Sequence, residues 1–253
     1  MTTTKVYVVT GAASGVGAAT ALALAKRGAA VAVNFSKSKA EAERVADECR
    51  VLGGDALAVQ GDVAVDADCR RLAGAALEKW GRIDGLVNNA GTTKFAAMRE
   101  LDALSAADFQ HIYSVNVVGA YQMTRACETA LRAASGAVVN VSSIASTMGL
   151  GSSIAYACSK GALNTLTLCL ARSLGPQVRV NAVLPGFIET RWLKEGLGAE
   201  RYAASHAAYR AQSALNATLQ PEEVADGILW LLHAGKTTGQ LLTLDAGKGI
   251  GAY

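Results

Sequence analysis

KVYVVTGAASGVG, residues 5–17, holds a β-branched run that breaks into glycines and passes directly into an Ala- and Leu-rich segment. A short apolar strand, a glycine-rich turn and a helix, in that order, predict the first unit of a layered α/β domain. Gly11, Gly15 and Gly17 let the backbone turn tightly and approach a bound group, with Ser14 and Val16 among them at the mouth of the helix. The free N–H groups and positive end of that helix suit a pyrophosphate. The spacing is GxxxGxG rather than GxGxxG, and a glycine-rich turn alone can be no more than a tight strand-to-helix corner.

Outward from this unit the rhythm repeats. AAVAVNF, ALAVQ, DGLVNN, GAVVNVS, VRVNAVL and QLLTLD each border a longer helical stretch, which gives seven strands that read as buried on both faces. Continuous apolar strands joined by helices require parallel pairing through right-handed crossovers. The expected fold class is therefore α/β, a single doubly wound, Rossmann-like parallel sheet of seven strands with helices on both faces. Helices are expected near residues 16–27, 38–52, 66–80, 106–133, 153–174 and 221–233. No linker, repeat or low-complexity tract divides the chain, so residues 1–253 are expected to form one domain. The stretch from Phe187 to Gln220 is too long for an ordinary connection and is the expected substrate lid, at about 187–220.

With 51% hydrophobic and 18% charged residues, the chain has material for a sizeable core. Its net charge of +3 is mild, and Lys and Arg are interspersed with Asp and Glu, so nothing calls for nucleic acid or an anionic membrane. No apolar run approaches the roughly eighteen residues of a membrane span. The start MTTTKVYVVTG lacks a basic segment followed by an apolar one, so secretion is not expected either. The five cysteines, Cys49, Cys69, Cys127, Cys158 and Cys169, share no CxxC or zinc-type spacing. They read as reduced, mostly buried thiols, which favours the cytoplasm. His111, His206 and His233 are far apart in sequence and offer no metal site.

Further candidates fall where strands end, the edge at which an open α/β sheet binds ligands. After the second strand, VNFSKS places Asn34, Phe35, Ser36 and Lys37 where an adenosine ribose would lie. With no acid there and an ammonium alongside, a 2′-phosphate meets donors rather than repulsion, although Lys37 can equally be a solvated helix-start lysine. After the third strand, Asp62, with Val63 beside it, can accept from an adenine amino group or cap the next helix. NNAG, residues 88–91, follows the fourth strand, where its amides either meet a ligand or stabilise a turn. Asn116 lies inside the helical stretch DFQHIYSVNVVGAY, where an amide is costly unless partnered.

YACSK, residues 156–160, sets a phenol and an ammonium four residues apart, one above the other on a helix face. Bringing a free tyrosine from a pKa of about 10 to near 7 takes roughly 4 kcal/mol, which one positive charge ~4 Å away at an effective dielectric of ~20 supplies. The pair is either a tuned proton donor or an ordinary amphipathic surface. Ser142 and Ser143 end the fifth strand, with Ser143 thirteen residues before Tyr156, and NAVLPGFIET ends the sixth.

TGAASGVG, NNAG, Asn116, the Ser-Ser pair, YACSK and LPGFIET occur in the order and approximate spacing of the short-chain dehydrogenase/reductase family, which the chain resembles from Lys5 to Gly247. The resemblance implies an NAD(P)(H)-dependent oxidoreductase that moves hydride between nicotinamide and a carbonyl or secondary alcohol. It implies Tyr156 as proton donor or acceptor and Ser143, rather than Ser142, as the residue holding the substrate oxygen. Lys160 would lower the Tyr156 pKa and hydrogen-bond the nicotinamide ribose, and Asn116 would hold the water of a proton relay. Pro185, Gly186, Ile188 and Thr190 would line the nicotinamide side, with Thr190 toward the carboxamide or phosphates, and Asn89, Ala90 and Gly91 would back the adenosine-ribose region.

Together with VNFSKS, the pattern looks most like the 3-oxoacyl-acyl-carrier-protein reductase and sugar or polyol dehydrogenase branches. NADP(H) is favoured and NAD(H) possible, with a small-molecule carbonyl or alcohol as substrate. A dinucleotide-sensing binding protein without turnover would typically have lost the Tyr or the Lys, and both are present. Thr92, Thr93, Ile144, Met148, Leu150, Phe187 and Trp192 are expected around the pocket. Arg191, Lys194, Arg201, His206 and Arg210 of the expected lid either greet an anionic substrate or acidic carrier or form a solvated helix face. The family is usually tetrameric, which implies a homotetramer built through the Ala-rich helices near 106–133 and 153–174 and through the last strand with its helix.

Overall fold

Seven strands form one parallel sheet: β1 (Val6–Val9), β2 (Ala30–Phe35), β3 (Asp55–Gln60), β4 (Gly85–Asn88), β5 (Ala137–Val141), β6 (Arg179–Pro185) and β7 (Leu241–Leu244). The computed structural model describes residues 4–251, so the ends of the expected 1–253 domain lie outside the described residues. The strand order is β3-β2-β1-β4-β5-β6-β7. The order reverses between β1 and β4, and the carboxyl ends of those two strands therefore open a crevice. The central strands are buried almost throughout, as their unbroken apolar runs require. The edge strands β3 and β7 are only part-buried, which corrects the expectation of seven doubly buried strands: each has a neighbour on one side alone.

Among the described residues ten α-helices connect the strands: α1 (Gly15–Ala25), α2 (Lys39–Val51), α3 (Asp66–Trp80), α4 (Ala106–Tyr113), α5 (Ala120–Ala133), α6 (Ala145–Met148), α7 (Ile154–Leu174), α8 (Arg191–Leu197), α9 (Ala199–Ala211) and α10 (Pro221–His233). On one face of the sheet Leu24, Val45, Ile228 and Leu231 pack on Val9, Val33 and Val139. On the other, Leu72, Met123, Leu131 and Leu170 pack on Val8, Leu86 and Val138. Each such side chain contributes roughly 1.5–3 kcal/mol by leaving water, so the two layers hold the strand ends at fixed positions. No described helix is long and apolar enough to cross a membrane.

Two departures from the sequence expectation bear on the site. The helix expected over 106–133 is interrupted by a π-helical turn, Ser114–Gly119, between α4 and α5. The wider turn accommodates Asn116 in the interior, and Gly119 sits so close to Val63 that a Cβ would lie 2.8 Å from Val63 Cγ2. The Phe187–Gln220 connection carries α8 and α9, and its two ends meet: Glu189 N donates to Leu219 O at 2.8 Å and Leu219 N to Phe187 O at 2.9 Å.

Candidate active site

The loops after β1 and β4 meet at the crevice. Gly11, at φ +59°, lies so close to the β4 loop that a Cβ would fall 2.9 Å from Ala90 Cα; one on Gly17 would fall 2.5 Å from Asn89 Nδ2. Glycine is required at both positions, because backbone and side chains already fill the space a methyl would take. Thr10 fastens the loops further, its Oγ1 accepting from Asn89 N and Ala90 N at 3.0 Å each. Ser14, exposed and extended, is the N-cap of α1 without making a side-chain cap, and no acidic residue occupies the first turn. The first N–H groups of α1, on Gly15, Val16 and Gly17, thus stand at an open helix end that suits an anion.

Several residues expected on the cofactor are engaged with the protein itself. Asn34 is 2% exposed; its Oδ1 accepts from Gly11 N at 3.1 Å and its Nδ2 donates to Gly61 O at 3.0 Å and Val59 O at 3.3 Å. It braces the glycine loop from β2 and presents no amide to a ribose. Phe35 is buried in the core, and Val63 is buried with its carbonyl accepting from Gln122 Nε2 at 2.9 Å. Asn89 donates to Thr10 O at 2.9 Å and Gly11 O at 3.0 Å. Asp62 accepts from Ala64 N at 2.9 Å and so caps its own turn, while Ser36 and Lys37 are exposed at the end of β2. A polar residue inside an apolar strand run is as well explained by a brace as by a ligand.

The second cluster gathers where β5 and α7 meet. Ser142 is buried, its hydroxyl donating to Asn164 Oδ1 at 2.7 Å and thereby committed to the core. Ser143 Oγ accepts from Ala145 N at 3.1 Å; burial raises the Tyr156 phenol pKa to about 12, and the neighbouring Ser143 hydroxyl draws it down by a smaller amount. Lys160 is 4% exposed; its Nζ donates to Val141 O at 2.7 Å and lies 5.5 Å from the Tyr156 ring centroid. Burial pushes this ammonium down to about 8. With the ammonium bound to a carbonyl, desolvation is the largest effect on both groups.

Asn116 is 1% exposed, with Oδ1 accepting from Thr92 N at 2.8 Å and Nδ2 donating to Thr92 O at 3.0 Å and Ser159 Oγ at 2.9 Å. One amide hydrogen thus holds the loop after β4 and the other holds α7. A Cβ on Gly91 would lie 3.4 Å from Asn116 Oδ1 and 3.6 Å from Lys160 Nζ, so the NNAG loop, the π turn and α7 converge at one point.

The loop after β6 closes the other side. Ile144 N donates to Pro185 O at 3.0 Å, and Gly186 lies directly under Tyr209, whose hydroxyl donates to Asp245 O at 2.7 Å. Ile188 bridges to Leu219, while Thr190 caps α8 by accepting from Leu193 N at 3.3 Å. A Cβ on Gly15 would lie 3.5 Å from Thr190 Cγ2, which sets the start of α8 beside the mouth of α1. Glu189 accepts from Thr218 Oγ1 at 2.5 Å and pairs with His206 Nε2 at 3.0 Å, and these bonds hold its carboxyl down at about 2.

The family described as enoyl-(acyl carrier protein) reductase matches residues 11–248. A Streptomyces violaceoruber protein assigned as ketoacyl reductase 2 of the granaticin polyketide synthase is 42% identical over 243 residues, 96% of this chain and 95% of its own. A solved Burkholderia xenovorans structure, assigned as a short-chain dehydrogenase/reductase, is 40% identical with a TM-score of 0.92 over 99% of this chain and 100% of its own. The chain belongs to the short-chain dehydrogenase/reductase family. It is an oxidoreductase of the kind that acts on carbonyl and alcohol groups. A 7α-hydroxysteroid dehydrogenase, solved with NADH and 7-oxoglycochenodeoxycholic acid, is 29% identical with a TM-score of 0.87 over 98% of this short-chain dehydrogenase/reductase and 94% of its own chain.

Thr10, Ser159, Asn164 and Tyr209 do not stand out in the sequence. Their signal lies in pairing, since each satisfies a partner 18 to 80 residues away or holds a loop whose partner is a backbone atom.

Proposed function

We propose that this short-chain dehydrogenase/reductase is an NADPH-dependent reductase of ketones or 3-oxoacyl compounds, with Tyr156 giving the proton. The observation that carries the reading is the Ser143–Tyr156 hydroxyl pair, backed by the buried Lys160, on the same sheet edge as the glycine loop. The Tyr156 phenol, its pKa raised by burial, is protonated at neutral pH and so carries the proton a reduction needs.

The residues fit a dinucleotide. A side chain on Gly11 or Gly17 would collide with the β4 loop, and the open start of α1 suits the pyrophosphate between Ser14 and Gly17. Ser36 and Lys37 would hold the 2′-phosphate, Ala90, Gly91 and Lys160 the ribose side, and Pro185, Gly186, Ile188 and Thr190 the nicotinamide side. When bound, the nicotinamide supplies hydride to the carbonyl carbon. Ser143 holds the carbonyl oxygen by donating to it, and the negative charge that gathers there draws the proton from Tyr156. Lys160 then faces a phenolate, whose attraction favours both charged forms in a site that otherwise disfavours each. Asn116 keeps the Thr92 loop against α7 through its three hydrogen bonds.

The chain acts as one domain, with Phe187–Gln220 as its lid. Exposed Phe109, Tyr113, Val118 and Tyr121 on α4, the π turn and α5, with Leu168 on α7, support assembly of a cytoplasmic homotetramer through these helices. A monomeric mass by light scattering at micromolar concentration contradicts that assembly. An NAD-dependent alcohol or polyol dehydrogenase is the second reading, favoured by the NADH held in the steroid dehydrogenase structure.

Titration with NADPH and NADH, followed by nicotinamide fluorescence, separates the two. NADPH is expected to bind about tenfold more tightly, and Lys37→Ala to erase most of that margin, as befits one exposed charge-assisted contact. Equal or tighter NADH binding refutes the clamp and supports the dehydrogenase reading.

A further inference from the structure

Gly196 stands near the end of α8, where its backbone is not in the left-handed region and alanine would be the better helix former. What its missing side chain provides is room. A Cβ there would lie 1.9 Å from Phe95 Cε2 and 2.1 Å from Phe95 Cζ, so the ring rests on the bare helix backbone. Trp192, one turn earlier on the same face, completes the seat, with ring centroids 5.5 Å apart and planes inclined by 51°.

Phe95 is presented to that seat by a fixed arm. On one side Lys94 Nζ donates to Asp108 Oδ2 at 2.8 Å, inside the Ser105–Asp108 capping box of α4. On the other, Ala96 N donates to Ser152 O at 2.9 Å, and Thr93 Oγ1 shares a hydrogen bond with Ser152 Oγ at 2.8 Å. The next residue, Ser153, caps α7 by accepting from Tyr156 N at 3.2 Å. The arm is therefore tied to the segment that orients Tyr156. The opposite end of α8 touches the glycine loop through Thr190, and Arg191 Nη2 lies 4.0 Å from Glu41 Oε1 in the first turn of α2.

We propose that Phe95 is a positioning residue: its ring, seated on Gly196 and held by Trp192, latches α8 to the segment that leads into Tyr156. The proposal rests on the reading of Phe187–Gln220 as a lid. One latch sets the height of the lid above both the glycine loop and the Ser143–Tyr156 pair, so its loss weakens substrate capture without altering the hydroxyls themselves.

The test is limited trypsin digestion, with cleavage after Lys194 followed by mass spectrometry, on Phe95→Ala, Phe95→Leu and Gly196→Ala. Helix propensity alone predicts that Gly196→Ala protects α8. The latch predicts the opposite: cleavage about fivefold faster or more in Gly196→Ala and in Phe95→Ala, less in Phe95→Leu, at an unchanged melting temperature. The double variant is expected to be no faster than either single one, because removing the ring also removes the clash. Wild-type protection in Phe95→Ala, or slower cleavage in Gly196→Ala, overturns the latch. If Gly196→Ala does not fold, Phe95→Ala decides alone. Digestion needs no turnover, so it stands even if no ketone is reduced; where one is, the latch variants raise KM by a larger factor than they lower kcat.

Discussion

Lys160 Nζ donates to the Val141 carbonyl oxygen at 2.7 Å while standing 5.5 Å from the centroid of the Tyr156 ring. The ammonium is thus anchored to the sheet beside the phenol ring. One carbonyl does not replace the water lost on burial, and the ammonium falls from an ordinary 10.5 to about 8.

The buried cation costs stability, and the sign follows from linkage. Below pH 8 Lys160 is protonated whether folded or not, and the full penalty, about 3 kcal/mol, is present. Between pH 8 and 10.5 the folded chain sheds the proton first, so this contribution rises with pH and the penalty fades. Lys160→Met, which also gives up a hydrogen bond worth roughly 1 kcal/mol, is expected to be more stable than the native chain by about 2 kcal/mol at pH 7. Urea melts at pH 7 and pH 10 check this, the advantage shrinking at the higher pH; a destabilised variant at pH 7 contradicts it.

Asn34 and Lys37 are three residues apart and are expected to respond oppositely. Asn34→Ala strips partners from Gly11 N, Val59 O and Gly61 O in the interior and is expected to cost about 2–4 kcal/mol. Lys37→Ala, at an exposed position, is expected to leave stability within about 0.5 kcal/mol. Chemical denaturation of both variants without cofactor separates the brace from the surface contact.

Much of this arrangement is legible in the sequence. The helices near 66–80, 153–174 and 221–233 fall within a residue or so of the observed ends, because their periodicity, caps and flanking turns agree. The π turn at Ser114–Gly119 is hidden, since no residue in SVNVVG breaks a helix and a run this short and apolar fits either kind of turn. Asn34 and Asn89 are ambiguous for a different reason: an amide at a strand end reads the same whether its partner is a ribose or a neighbouring carbonyl. Phe95 and Gly196 are a hundred residues apart, and only packing brings them together.

The thiols divide sharply. Burial pushes Cys49 up to about 11 and Cys69 and Cys127 up to about 12, whereas Cys158 and Cys169 are exposed on α7. A thiol reagent is expected to modify Cys158 and Cys169 rapidly in dilute native protein and all five after denaturation. Cys158 borders the groove formed with Phe109, Tyr113 and Val118, so its labelling is expected to slow at concentrations where the chain assembles. Labelling that is fast and independent of concentration contradicts assembly through these helices.

The central claim is that the Tyr156 hydroxyl gives the proton while Ser143 holds the oxygen. The direct measurement is single-turnover oxidation of NADPH by a ketone panel with Tyr156→Phe, alongside cofactor titration of the same variant. Loss of one preorganised donor is worth about 3 kcal/mol, so the rate is expected to fall at least about a hundredfold while NADPH binds as in the native chain. A Tyr156→Phe rate close to native, with cofactor still bound, would contradict the assignment.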